Sequence, residues 1–261
     1  TNLNAIDAAT TGVVTATLSG TGSDLAGLTG VGNAYTVTVT DAQSGAGGVA
    51  NLNAIDAATT GVVTASVTDT AAQLVTLTGT GNAYTVTVTG AASIAQLTTI
   101  DGLTTGALSY TSITDTAANL VANAGGYVSG SVAVTVSGAA SIAQLNTIDG
   151  LTSGVVTATI SGTAAQLTTL SGTGKAYTVT VTDAASITQL SAIDAATTGA
   201  ITALTITDSA ANLVADAALN GGAGGYLPGA TTVTVNTAAS IAELSAIDAA
   251  TTGVMIYTSI T

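Results

Sequence analysis

The stretch NLNAIDAATTGVVTA stands at residues 2–16 and again, without a change, at residues 51–65. Its Leu-x-x-Ile-Asp pattern recurs along the chain, with the aspartate at Asp7, Asp56, Asp101, Asp149, Asp194 and Asp248. The intervals are 49, 45, 48, 45 and 54 residues. A unit of about 48 residues falls in the range of stacked repeat architectures. Halfway through each unit lies a second connector. Long connectors read like AASIAQLTTIDGLTTG (91–106), short ones like TAAQLTTLSGTG (163–174) or DTAANLVANAGG (115–126).

Between connectors lie eleven stretches such as VVTATLSG, AYTVTVTD and VMIYTSIT, about 24 residues apart. They are rich in Val, Thr and Ile and alternate with period two, the pattern of a half-buried strand. In AYTVTVT (34–40), Tyr35, Val37 and Val39 point one way and Thr36, Thr38 and Thr40 the other. The connectors change period: Ile94, Leu97 and Ile100 sit three apart, as do Ile187, Leu190 and Ile193, which places each trio on one helix face. Aspartates that close strands are expected to cap the helices that follow, and the Gly of the recurrent TTG to stop them. The many threonines shorten some helices to single turns.

Connections this long cannot close hairpins, so neighbouring strands run parallel with helices on one face. The expected fold is α/β: a solenoid of parallel strands alternating with short helices, about 24 residues per coil and about 48 per double coil. An all-β parallel solenoid, its connectors acting as β-arcs, is the alternative. Residues 1–261 read as one continuous array that opens part-way through a coil, as a segment of a longer or polymerising chain would.

Hydrophobic residues make up 47% of the 261, aromatics only 3%, so the core is built from small aliphatic side chains. Charged residues are 6%, against roughly 25% in an average soluble domain. Fourteen acids face one base, Lys175, for a net charge of −13. That balance argues against nucleic acid and anionic membranes as partners. It favours cations, or further copies of the chain itself. No cysteine is present and no run of about twenty apolar residues occurs, so neither disulfides nor a spanning helix are expected. The start lacks the basic and apolar regions of a signal peptide.

Four residue sets carry candidate chemistry. Asp41, Asp69, Asp115, Asp183 and Asp208 recur at strand ends, where stacked coils would align carboxylates for calcium. Their competing role is helix capping, and Gly90, Gly138 and Gly162 interrupt the row. Thr36/Thr38/Thr40, Thr85/Thr87/Thr89 and Thr178/Thr180/Thr182 form outward rows, either a plain exposed strand face, a sheet-packing surface or a Thr-x-Thr array of the ice-binding kind. Tyrosines recur in AYTVTVT, YTSIT and after Gly-Gly, and are expected to stack between coils. Lys175 stands where two sister turns carry Asn33 and Asn82, and reads as a tolerated surface change. With no His or Cys and a single Glu, Glu243, the chain lacks the usual general bases and soft metal ligands, which argues against an enzyme.

The segments Asp115-Thr-Ala-Ala-Asn-Leu-Val121 and Asp208-Ser-Ala-Ala-Asn-Leu-Val214 resemble a repeat of large bacterial surface and secreted proteins: S-layer-like, adhesin and type I-secreted repeat proteins, cyanobacterial ones included. The resemblance implies an extracellular or cell-surface structural role. Members often carry calcium-binding nonapeptides, which are not visible here. The expected function is a subunit of a filament, sheath or surface layer that grows by head-to-tail stacking of its own copies. Its ends would be Thr1, Asn2, Leu3 and Ile6 on one side and Val254, Ile256, Tyr257, Ile260 and Thr261 on the other. The rivals are the stalk of a large adhesin and an ice-binding protein.

Overall fold

The alternation of the strand stretches becomes one buried and one exposed face. In Ala34–Val39, Tyr35, Val37 and Val39 are buried while Thr36 and Thr38 are exposed, and Ala83–Thr89 and Ala176–Val181 repeat the pattern. The computed structural model describes residues 2–219 and 224–261. It is α/β, with eleven α-helices, one 3₁₀ turn and fifteen strands among the described residues. The connectors are therefore helical, which sets aside the all-β alternative. The eleven expected stretches are all strands. Two of them are interrupted, into Leu108–Ser109 and Ser112–Thr116 and into Ile201–Ala203 and Thr205–Asp208, and two-residue strands add Gln43–Ser44 and Ala91–Ala92.

The chain divides into two compact units, residues 1–115 with 123–127, and residues 116–122 with 128–261. In the first, Thr15–Gly20, Ala34–Val39, Val63–Thr70, Ala83–Thr89 and Leu108–Ser109 pair in succession, every pairing parallel. In the second, Ala133–Ser137, Val156–Gly162, Ala176–Val181 and Ile201–Ala203 pair likewise, and so do Thr205–Asp208, Thr232–Val235 and Val254–Tyr257. Each strand thus finds its partner in the next stretch along the chain. Crossovers of this length allow only that orientation.

Long helices such as Ile94–Leu103 and Ile142–Leu151 alternate with single turns such as Gly22–Leu25, Ala71–Leu74 and Ala164–Leu167. The spacing of three delivers Leu97 and Ile100, Leu145 and Ile148, and Leu190 and Ile193 to the core with no more than traces of exposure. Each such side chain contributes about 1.5–3 kcal/mol by leaving water.

Two expectations about helix ends are corrected. The N-caps are not the strand-end aspartates but Ser and Thr one to three residues later: Thr21, Thr70, Ser93, Ser141, Thr163, Ser186, Ser209 and Ser240. Five of these form reciprocal capping boxes, as where Ser93 Oγ accepts from the Gln96 amide at 3.2 Å and Gln96 Oε1 from the Ser93 amide at 2.9 Å. Glu243 sits in the Gln position because its carboxylate accepts the Ser240 amide equally well, at 2.8 Å. The Gly of TTG does not stop the helix either: Ile94–Leu103 already ends at Thr104, which is extended. That glycine has a different task, described next.

Candidate functional site

Successive strands are joined by a seam that recurs through both units. Its first element is the leading Thr of the TTG triplet. Thr59 Oγ accepts from the amides of Tyr35 and Gly61 at 2.8 and 2.9 Å and donates to the Tyr35 carbonyl at 2.8 Å. Thr104 does the same to Tyr84 and Gly106, and Thr197 to Tyr177 and Gly199. Thr152 donates to Val132 O at 2.6 Å and accepts from Gly154. The bond brings the backbones so close that a side chain on the triplet glycine has no room. A Cβ on Gly61, Gly106 or Gly199 would lie 2.2 Å from the carbonyl oxygen of Tyr35, Tyr84 or Tyr177. Close approach, rather than a left-handed turn, demands glycine here.

The second element uses the Ile-Asp aspartates of the repeat. Asp7 accepts from Asn33 Nδ2 at 2.7 Å and Asp56 from Asn82 Nδ2 at 2.8 Å, each across 26 residues. Both asparagines then accept a strand amide from the other side, Val14 N at 3.0 Å and Val63 N at 2.9 Å. In the third copy Lys175 takes the asparagine's place. It is buried, not a surface change: its Nζ lies 3.7 Å from Asp149 Oδ1 and donates to Gly154 O at 3.0 Å, while Tyr177 Oη donates to Asp149 Oδ2 at 2.5 Å. Burial first, and then the hydrogen bond and charge of Asp149, push the Tyr177 hydroxyl well above its usual pKa. Burial and the charge of Asp56 do the same to Tyr84.

The third element is the strand-end aspartates, which cap helices after all, but the helices that precede their own strands. Asp41 Oδ1 accepts from Gly22 N and Asp183 Oδ1 from Ala164 N, both at 2.7 Å. Asp115 accepts from Ile94 N at 3.0 Å and Asp208 from Ile187 N at 2.9 Å. Each amide is the first of its helix, so a negative charge there is favoured by the helix dipole as well. The Gly22 amide holds the Asp41 carboxyl below its usual range. Asp69 accepts from Thr70 N at 2.7 Å. The five calcium candidates are therefore engaged one by one, and among the described residues no group of three acidic side chains gathers.

The threonine rows are exposed as expected: Thr36, Thr38, Thr40, Thr85, Thr87, Thr89, Thr178, Thr180 and Thr182 all face outward. Strand register aligns Thr17 with Thr36, Thr38 with Thr64, Thr68 with Thr87 and Thr159 with Thr178. Of the expected end residues, Thr1 lies outside the described residues. Asn2 and Ile6 are exposed and Leu3 half-buried, while Val254, Ile256, Tyr257, Ile260 and Thr261 are all exposed. Val254 and Ile256 stand in register with Thr232 and Thr234, so two apolar side chains occupy the hydroxyl face there. Tyr110 and Tyr127 meet edge to face with ring centres 6.1 Å apart. No helix among the described residues is long and apolar enough to cross a membrane. Compared with family models, curated proteins and solved structures, the chain matches none.

Proposed function

We propose that this chain is a structural subunit of an extracellular bacterial filament, sheath or surface layer. Its coils stack as a solenoid, and copies add to one another end to end. The observation that carries this reading is the repeated seam: Thr59, Thr104 and Thr197 grip the preceding strand in the same way each time. A joint that recurs unchanged within a chain is equally suited to recur between chains. Among the described residues Thr15–Gly20 and Val254–Tyr257 each pair on one side only, and head-to-tail addition through those edges would yield an open fibre. Salt should promote the assembly by screening the net charge of −13. The resemblance to bacterial surface repeat proteins and the absence of His and Cys agree with a building role rather than catalysis. Electron micrographs and light scattering over a concentration and salt series test the idea. Monomers alone at every concentration would overturn it.

A second reading, ice binding, draws on the in-register, uncharged threonine face. It predicts thermal hysteresis from the purified chain, and a freezing point equal to the melting point would discard it.

A further inference from the structure

The seam is a hydrogen bond between neutral amide and carboxylate in two copies and something else in the third. Asn33 and Asn82 satisfy Asp7 and Asp56 at 2.7 and 2.8 Å. Lys175, the only base in 261 residues, replaces them with a buried ammonium, its side chain 10% exposed against 6% for Asp149. The exchange does not improve the polar contacts. Nζ stands 3.7 Å from Asp149 Oδ1, beyond hydrogen-bonding range, and that buried oxygen accepts no hydrogen bond. Nζ donates to the carbonyls of Gly154 and Thr152, so the deficit lies at Asp149, and a buried carboxylate with one oxygen lacking a hydrogen bond is an expensive arrangement. The surroundings hold it in place nonetheless. Gly172 lies so near that a Cβ would meet Asp149 Oδ2 at 2.3 Å and Lys175 Cγ at 2.8 Å. Gly154 O orients the amine at 3.0 Å, and Tyr177 Oη donates to the far carboxylate oxygen, Oδ2, at 2.5 Å.

We propose that Lys175 and Asp149 join in an intramolecular amide bond, a covalent tie between successive coils in a chain that has no cysteine. The ammonium passes one proton to the carboxylate, leaving amine and carboxylic acid. Nζ then adds to Cγ, the Cγ–Oδ2 bond breaks with the Tyr177 hydroxyl hydrogen-bonded to the departing oxygen, and one water leaves. Both of its hydrogens come from the original ammonium, Tyr177 ends with its own proton, and no oxidant or co-reactant is consumed. One positive and one negative charge disappear together, so the net charge stays at −13. The product replaces a poorly satisfied ion pair with a neutral amide, in the place where sister coils keep a neutral amide side chain. Tyr177 acts here as a positioning residue.

The test is the intact mass of the full 261-residue chain, together with amine labelling after complete denaturation. The expected result is a mass lower than the sequence by one water, a Lys175 amine that takes no acyl label, and no tryptic cleavage of the denatured chain, whose only basic residue is Lys175. Lys175→Asn, the residue of the sister seams, and Asp149→Ala should each show their full calculated mass. Tyr177→Phe should lower the bonded fraction. A full-mass wild-type chain with a reactive Lys175 overturns the proposal. So does a lost water with Lys175 still reactive, which marks a succinimide at Asp149-Gly150 or Asp101-Gly102 instead.

Discussion

Thr59 Oγ takes the amide of Tyr35 at 2.8 Å and returns a hydrogen bond to the Tyr35 carbonyl at the same distance, so one hydroxyl binds both backbone groups of a residue 24 positions earlier. Thr59→Val keeps the shape and removes the bonds, leaving the buried Tyr35 amide without this acceptor. Each buried polar group stranded in this way costs about 1–3 kcal/mol. Thr59→Ser should recover most of the loss. Urea unfolding of the three proteins decides it, and equal midpoints for Thr59→Val and wild type would refute the clasp.

Two glycines four residues apart should answer opposite ways to alanine. Gly106→Ala drives a Cβ to 2.2 Å from Tyr84 O and must displace the neighbouring strand, at a cost of about 1–3 kcal/mol or more. Gly102 lies in the helix Ile94–Leu103 with no atom within 4 Å of an added Cβ. Gly102→Ala should therefore gain about 0.5–1 kcal/mol. Thermal melts of the pair provide the comparison.

Alkali should unfold the chain through its buried tyrosines. Tyr84 and Tyr177 have folded pKa values raised above the ordinary 10.0, chiefly by burial. The neutral form is favoured in the fold, so the contribution is complete below pH 10.0 and is lost as pH rises beyond it. Phenolate absorbance of these two should appear only with loss of circular dichroism. Their titration in a chain still folded would contradict the burial argument.

Acid acts on Asp41 in the other sense. Its folded pKa lies below the usual 3.8, held down by the Gly22 amide, so its contribution is present above that value and fades as pH falls through the folded pKa. Asp41→Asn should flatten the acid limb of the stability profile relative to wild type. Asp216 runs opposite, since burial raises its pKa and protonation favours the fold.

Chelation should leave the melting temperature unchanged, because Asp41, Asp115, Asp183 and Asp208 are each bound to a helix amide. A fall on adding chelator, reversed by calcium, would show that these carboxylates also hold an ion.

Strand faces and helix faces are legible in this sequence because each follows a local period. Tyr35, Val37 and Val39 inside and Thr36, Thr38 and Thr40 outside follow from alternation alone. The seams are not local. Asp7 meets Asn33 and Asp56 meets Asn82 at a constant offset of 26 residues, which composition and short windows cannot register. One signal was present: Lys175 stands at the same offset from Asp149, a base opposite an acid where sister copies carry an amide. The strand-end aspartates show the same limit. Their place before each connector suggests capping, but only the stacking of strands reveals that the helix they cap is the one behind them.

That backward reach has a consequence for synthesis. Asp41 and Asp183 follow the amides they cap by 19 residues, and Asp115 and Asp208 by 21. During synthesis the residues of each of these helices are made before the carboxylate that caps them, and helices of four or ten residues are marginal on their own. These four helix starts are therefore completed only when the strand that follows each helix has been added.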